Sequence, residues 1–153
     1  MNIFPINKRK FILNQAQEET LYLLNKETEK SENLTSNYTE KSFLGIIEGN
    51  QFKLISSDMV KGSFCVMTGE VNLKSGYVKV EINGVFRILL AIVFCFPLIG
   101  ILILLTQSVP LQVVLIALIT LFVRYVLIGL TFKFLSEESL ERLKEVLDIE
   151  WTK

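Results

Sequence analysis

The sequence predicts an α+β membrane protein: a small antiparallel β-meander domain with an N-terminal helix, a two-helix transmembrane hairpin and a C-terminal amphipathic helix. Three patterns support this fold class. Two long apolar runs lie between residues 88 and 132, apolar residues alternate with others between 41 and 82, and a leucine stripe at helical spacing follows residue 133. Such periodicities are typical of helices and strands that bury one face.

The first apolar run covers residues 88–105 and has no charged residue, and the second covers 113–132 and has one, Arg124. At about 1.5 Å of rise per residue, the first run is roughly 27 Å long, close to the roughly 30 Å of a bilayer's hydrocarbon core. The connector 106–112 is polar, short and contains Pro110. We therefore predict two spanning helices, 88–105 and 113–132, that are antiparallel neighbours in the lipid bilayer.

The distribution of lysine and arginine predicts the orientation of this hairpin. The connector has no lysine or arginine, whereas both flanks carry them: Lys74, Lys79 and Arg87 before the first run, and Lys133, Arg142 and Lys144 after the second. Cytoplasmic flanks collect such cations. We expect a multi-pass protein of the cytoplasmic membrane with both termini in the cytoplasm.

Residues 1–86 are predicted to form a cytoplasmic α+β domain. Residues 11–13 read as an opening strand, and Asn14 with Gln17 matches a helix-capping box, so we predict a helix to about Lys26. The polar stretch 27–40 reads as a loop or linker.

The following strands are predicted from alternation. Apolar side chains alternate from Phe43 to Leu54 around a Gly49-Asn50 hairpin turn, and again from Phe64 to Ile82. This pattern favours a one-sided antiparallel meander whose apolar face needs a cover.

The C-terminal segment, 133–153, is predicted to supply part of that cover. Ser136 reads as an N-cap, and an apolar stripe follows at helical spacing: Leu140, Leu143, Val146 and Leu147. We expect an amphipathic helix to about Ile149 that docks on the meander.

The alternating region resembles a family of small, uncharacterised bacterial two-span membrane proteins. The family pattern is Phe-x-Gly-x-Ile/Val, then Phe-x-Ile/Leu, then Ser-Phe and Gly-x-Ile/Val, and the matching residues here are Phe43, Gly45, Ile47, Phe52, Leu54, Ser63, Phe64, Gly69 and Val71. Gly62 replaces an asparagine of the pattern, its proline is missing, and one residue fewer precedes Gly69. The resemblance implies this architecture, and it implies no activity, substrate or site residue.

Composition argues against most catalytic chemistry. The chain has no histidine, which removes the commonest general base and metal ligand, and no phosphate-binding glycine loop or nucleophile motif is present. We expect no cofactor and no metal. The 16 basic and 16 acidic residues balance, so a nucleic-acid partner is not expected either.

Arg124 is the single candidate site residue, because it lies within the second apolar run. A central arginine costs about 2.5–3.5 kcal/mol on insertion scales. It either contacts an acidic partner helix or an anionic ligand, or its side chain snorkels to the headgroups. Pro97 in the first run is likewise either a hinge or a tolerated irregularity.

These patterns leave three hypotheses for function. The first is a non-catalytic interaction or scaffold module tethered to the membrane, acting as a homo-oligomer or with an unknown membrane protein. The second is an accessory subunit of a transporter or channel, with Arg124 at a helix interface. The third is a membrane enzyme of unknown type, for which the sequence offers no motif.

Overall fold

A computed structural model describes residues 4–31, 34, 39–58, 62–106 and 110–152 of the chain. It is a mixed α+β fold with a seven-stranded sheet. The strands are β1 (Ile6–Leu13), β2 (Thr28–Lys30), β3 (Phe43–Glu48), β4 (Gln51–Ser56), β5 (Cys65–Val71), β6 (Ser75–Ile82) and β7 (Ile149–Trp151). The helices are α1 (Gln17–Lys26), α2 (Gly84–Thr106), α3 (Pro110–Phe122) and α4 (Gly129–Leu147), with a 3₁₀ turn at Gly62–Phe64 and a π-helical segment at Val123–Ile128.

The chain divides into two compact units. The sheet unit comprises Met1–Asn83 and Lys133–Lys153, and the hairpin unit comprises Gly84–Phe132. The C-terminal segment therefore belongs to the same unit as the N-terminal strands, although 49 residues of chain separate them.

The sheet is mixed, with strand order β2-β3-β4-β5-β6-β1-β7. The prediction of a purely antiparallel meander is therefore wrong in part. β3 to β6 do form a meander, but β2 is parallel to β3, and β1 pairs with β6. These additions come from sequence-distant strands, and local alternation carries no information about such partners.

The predicted hairpin turn is confirmed. Glu48 pairs with Gln51, so Gly49 and Asn50 are the two turn residues. Gly49 has a φ of 57°, a conformation that glycine adopts without steric cost.

Most of the core lies on one face of the sheet, which we call the inner face. A cross-strand row on this face joins Asn7, Val80, Met67 and Leu54, and its three apolar members are fully buried. Asn7 Nδ2 donates to Ser136 Oγ of α4 at 3.3 Å, so α4 lies over this face.

A smaller buried cluster of Leu44, Ile55 and Val66 packs with Leu34 on the other face of the sheet. The prediction of a one-sided meander is therefore wrong in this respect.

The leucine stripe of α4 completes the core. Leu140, Leu143 and Leu147 are all at 0% exposure. Burying a large apolar side chain contributes about 1.5–3 kcal/mol, so the stripe accounts for a substantial part of the stability of a unit this small.

Two local predictions for the N-terminal region are corrected by the structure. α1 begins at Gln17 after Ala16, without a side-chain cap, so the Asn14 capping box is not formed. Instead Gln17 Nε2 donates to the carbonyl of Val71 at 2.8 Å, a tertiary contact that takes the side chain away from the helix end. Thr28–Lys30, predicted as loop, is β2, because its backbone pairs with β3.

The C-terminal segment also differs from its prediction. Ser136 lies inside α4 instead of capping it, and its hydroxyl donates to the carbonyl of Lys133 at 3.0 Å. No proline or glycine follows Gly129 to end the helix, so it continues to Leu147. The left-handed Asp148, φ 48°, then turns the chain into β7, which pairs with β1.

Two helices, Gly84–Thr106 and Leu111–Leu147, are long and apolar enough to cross a membrane, judged by length and composition. The second begins in the hairpin unit and continues as α4 into the sheet unit. α2 runs from Gly84 to Thr106, several residues longer than the predicted span, and has no buried residue. It packs against α3. α3 begins at Pro110, and residues 107–109 of the predicted connector lie outside the described residues.

Candidate functional site

Arg124 lies in the π-helical segment between α3 and α4. Arg124 is half-buried and has an interaction partner, while the neighbouring Tyr125 is 73% exposed. Short π-helical segments occur frequently at functional sites because they rotate the faces of a helix relative to each other. The segment includes the position that the sequence analysis selected.

The apolar side chains around Arg124 are mostly exposed. Along α2, α3 and the π-helical segment, large hydrophobic residues such as Leu102, Leu118 and Leu127 are 52–65% exposed. A soluble monomer rarely exposes an apolar surface of this extent. The chain between Gly84 and Phe132 contains two arginines and no aspartate or glutamate.

A second feature is a cleft of about 240 Å³ in the sheet unit, between the end of β4 and α4. Ser56 is 7% exposed, and its Oγ accepts a hydrogen bond of 2.6 Å from Nη1 of Arg142. Gly62 forms part of the wall, where an added Cβ would meet the carbonyl oxygen of Ser56. Since the chain has no histidine, this serine lacks the usual base, and its hydrogen bond instead ties α4 to β4.

A third cluster ties both ends of the sheet unit together. Both carboxylate oxygens of Glu137 on α4 lie 2.6 Å from Nη2 of Arg9. The Arg9 guanidinium lies 5.6 Å from the ring centroid of Trp151 in β7, and Phe11 meets the same ring edge-on at 6.2 Å. Sequence analysis missed Arg9, although its period-2 spacing from Phe11 places both on the inner face. Arg9 and Glu137 are about one-third exposed, so we assign this pair a modest structural role.

The opposite face of the sheet, which we call the outer face, carries a row of lysines. Lys8 pairs with Lys79, Lys79 with Thr68, and Thr68 with Lys53. Lys79 Nζ lies 2.7 Å from Glu81 Oε1 on the same strand, which balances one of the three charges. A shallow groove of about 390 Å³ runs between Lys53 and Lys79.

Cysteine chemistry finds little support in the sheet unit. Cys65 is 1% exposed, and burial raises the pKa of its thiol from 9.0 to about 12. The thiol therefore stays protonated at neutral pH and is a poor nucleophile. Among the described residues, no three histidine, cysteine or acidic side chains stand together as metal ligands.

Comparison with known proteins gives no relative. No protein-family model, curated protein or solved structure matches the chain. The resemblance to a two-span membrane family therefore stays a prediction.

The structure does give a physical reason for two of the glycines in the family pattern. An added Cβ on Gly45 would meet the backbone of Lys53 and Leu54, and one on Gly69 would meet the ring of Phe52.

Proposed function

We propose that this chain is a small integral membrane protein whose sheet unit is a non-catalytic interaction or scaffold module. The observation that carries the proposal is the exposed apolar surface of α2 and α3. Exposure of this kind is costly in water and favourable in lipid, where the backbone hydrogen bonds of helices are satisfied internally. The hairpin unit then serves as the anchor.

A scaffold role for the sheet unit is supported by what its polar clusters do. Arg9 holds Glu137, and Arg142 holds Ser56, so both guanidiniums join α4 to strands. The cleft beside Ser56 is lined mostly by charged side chains: Asp58, Glu138, Glu141, Arg142 and Glu145. A charged surface of this kind suits binding to another macromolecule better than binding of an apolar small molecule.

Both flanks of the hairpin are proposed to face the cytoplasm. We expect a Ser108→Cys variant, in a Cys65→Ala/Cys95→Ala background, to react with an impermeant thiol reagent in intact cells. Lys26→Cys in the same background is the control, because Lys26 is exposed in α1 and should react only after lysis. Labelling of Lys26→Cys in intact cells, with Ser108→Cys silent, would reverse the topology.

The second candidate function is an accessory subunit of a transporter or channel. It is favoured by one observation, the half-buried Arg124 in a π-helical segment of an otherwise apolar helix. Charges within spanning helices face the interior of a bundle and pair with other polar groups. Purification in mild detergent separates the two candidates, since a stable complex with larger membrane subunits supports the second and recovery of this chain alone argues against it.

Replacing Arg124 tests that second candidate directly. We expect Arg124→Leu to insert at least as well as the wild type, because it removes a cost of about 2.5–3.5 kcal/mol, and to weaken association with a partner helix. Arg124→Lys keeps the positive charge but loses the planar guanidinium group with its paired donors. We therefore expect its association with the partner helix to be intermediate between those of the wild type and Arg124→Leu. The measurement is the profile of crosslinked species in membranes, and an identical profile for all three proteins would leave only the snorkelling interpretation.

A further inference from the structure

The lysine row on the outer face has a defined length and direction. Lys8, Lys79 and Lys53 lie on three of four adjacent strands, with Thr68 on the fourth. At about 4.8 Å between neighbouring strands, the row from Lys8 to Lys53 is roughly 14 Å long. Lys8 and Lys79 are directly opposite, and like charges in that position are destabilising. Glu81 pairs with Lys79 and offsets part of this repulsion, so Lys8 and Lys53 carry most of the positive charge of the row.

Acidic residues form a matching stripe on α4. Glu138, Glu141 and Glu145 are exposed and follow helical spacing along one face of α4, and the exposed Asp148 comes directly after the helix ends at Leu147. From Glu138 to Glu145 the helix rises about 10 Å. The buried leucines lie on another face of α4, and the three glutamates of the stripe border the cleft beside Ser56.

We propose that the lysine row of one copy docks against the acidic stripe of α4 in a second copy. The two surfaces have opposite charge, and each copy carries both. This proposal rests on the scaffold role above and names its partner as the chain itself. A contact between different surfaces of identical chains is heterologous, so it repeats from copy to copy and forms rings or open clusters.

The neighbouring charges set the specificity of this contact. The next row on the outer face holds Lys10, Tyr77, Glu70, Gln51 and Glu48. The acidic residues of this second row, Glu70 and Glu48, repel the acidic stripe of α4. The lysine row attracts the same stripe, so the helix is favoured there. On the stripe side, Arg142 is held by Ser56, which keeps its charge at the edge of the acidic face. Complementary charge of this kind gives orientation and specificity more than affinity.

The test is a charge swap in the full chain, purified in mild detergent and followed by sedimentation velocity. The sheet variant carries Lys8→Glu and Lys53→Glu, and the helix variant carries Glu141→Lys and Glu145→Lys. We expect each variant alone to self-associate at least about tenfold more weakly than the wild type. An equimolar mixture should recover association, because the reversed sheet of one variant then meets the reversed helix of the other. Raising the salt to about 1 M, where the Debye length falls to about 3 Å, should weaken the wild-type contact.

A matched control changes charges elsewhere on the sheet unit. Lys26→Glu with Glu18→Lys reverses two exposed charges on α1 and should leave association unchanged. A monomeric wild type, or a mixture that stays dissociated, overturns the proposal. The proposal is also overturned if the wild type is monomeric and the sheet variant loses binding to anionic phosphatidylserine vesicles. That result would assign the lysine row to a lipid surface. Membrane residence is read separately by the cysteine labelling above, so failure of self-association does not count against the anchor.

Discussion

Replacing Leu143 by alanine is expected to lower the free energy of unfolding of the sheet unit by about 2–5 kcal/mol. Leu143 is at 0% exposure in the middle of the α4 stripe, between Leu140 and Leu147. Removing its methyl groups loses the free energy gained by transferring them from water to the core. It also leaves a cavity between α4 and the sheet that these elements cannot easily close. Domains have only about 5–15 kcal/mol of stability, so the loss is a large fraction.

Hydrogen exchange is the measurement, since it reports on the sheet unit inside the full, detergent-solubilised chain. The amides of Met67 and Val80, on the central strands, should exchange faster in the Leu143→Ala variant. Lys144→Ala is the control, because Lys144 is the exposed neighbour on the same helix. Equal protection in both variants would show that α4 does not stabilise the strands. Ending the chain at Phe134 should produce a larger effect in the same direction.

Replacing Gly45 by alanine is expected to destabilise the sheet unit by about 3 kcal/mol or more. Gly45 is buried in β3 with a φ of 156°, a conformation that residues with a side chain rarely adopt. An added Cβ would meet the carbonyl oxygen of Lys53 and lie 2.9 Å from Cα of Leu54. Both contacts are with the backbone of β4, which cannot move aside as a flexible side chain would.

Two other glycines separate the causes of this effect. Gly49 has a φ of 57° but open space around it, so Gly49→Ala should cost only the backbone strain of about 1–2 kcal/mol. Gly84 has neither a positive φ nor a neighbour within 4 Å, so Gly84→Ala should leave exchange in the sheet unit unchanged. If the Gly45→Ala and Gly49→Ala variants showed the same protection from hydrogen exchange, the requirement for glycine at position 45 would not come from the close approach of β4.

Several features of this protein follow from its sequence because they depend on local patterns. The apolar runs at 88–105 and 113–132 correspond to helices that satisfy length and composition for crossing a membrane. The Gly49-Asn50 turn and the alternation on either side of it produce β3 and β4 as expected. Arg124 was found because a charge in an apolar run is conspicuous, whatever its surroundings in the fold.

The outer lysine row and the Arg9 cluster were not predicted, since each depends on which strands become neighbours. Lys8, Lys53 and Lys79 are far apart in the chain, and only the register of β1 against β6 and of β4 against β5 aligns them. Arg9 meets Glu137 because α4 crosses the inner face.

The apolar helices and the Gly49-Asn50 turn of this protein were determined by sequence alone, because their physical causes lie within a few residues of chain. The tertiary structure decided the rest. β1 enters the sheet between β6 and β7, β2 runs parallel to β3, and α4 continues past Ser136 and ends in a turn to β7. These choices depend on free energies of long-range pairing and burial, so a short strand such as Ile149–Trp151 forms only where β1 presents an unpaired edge.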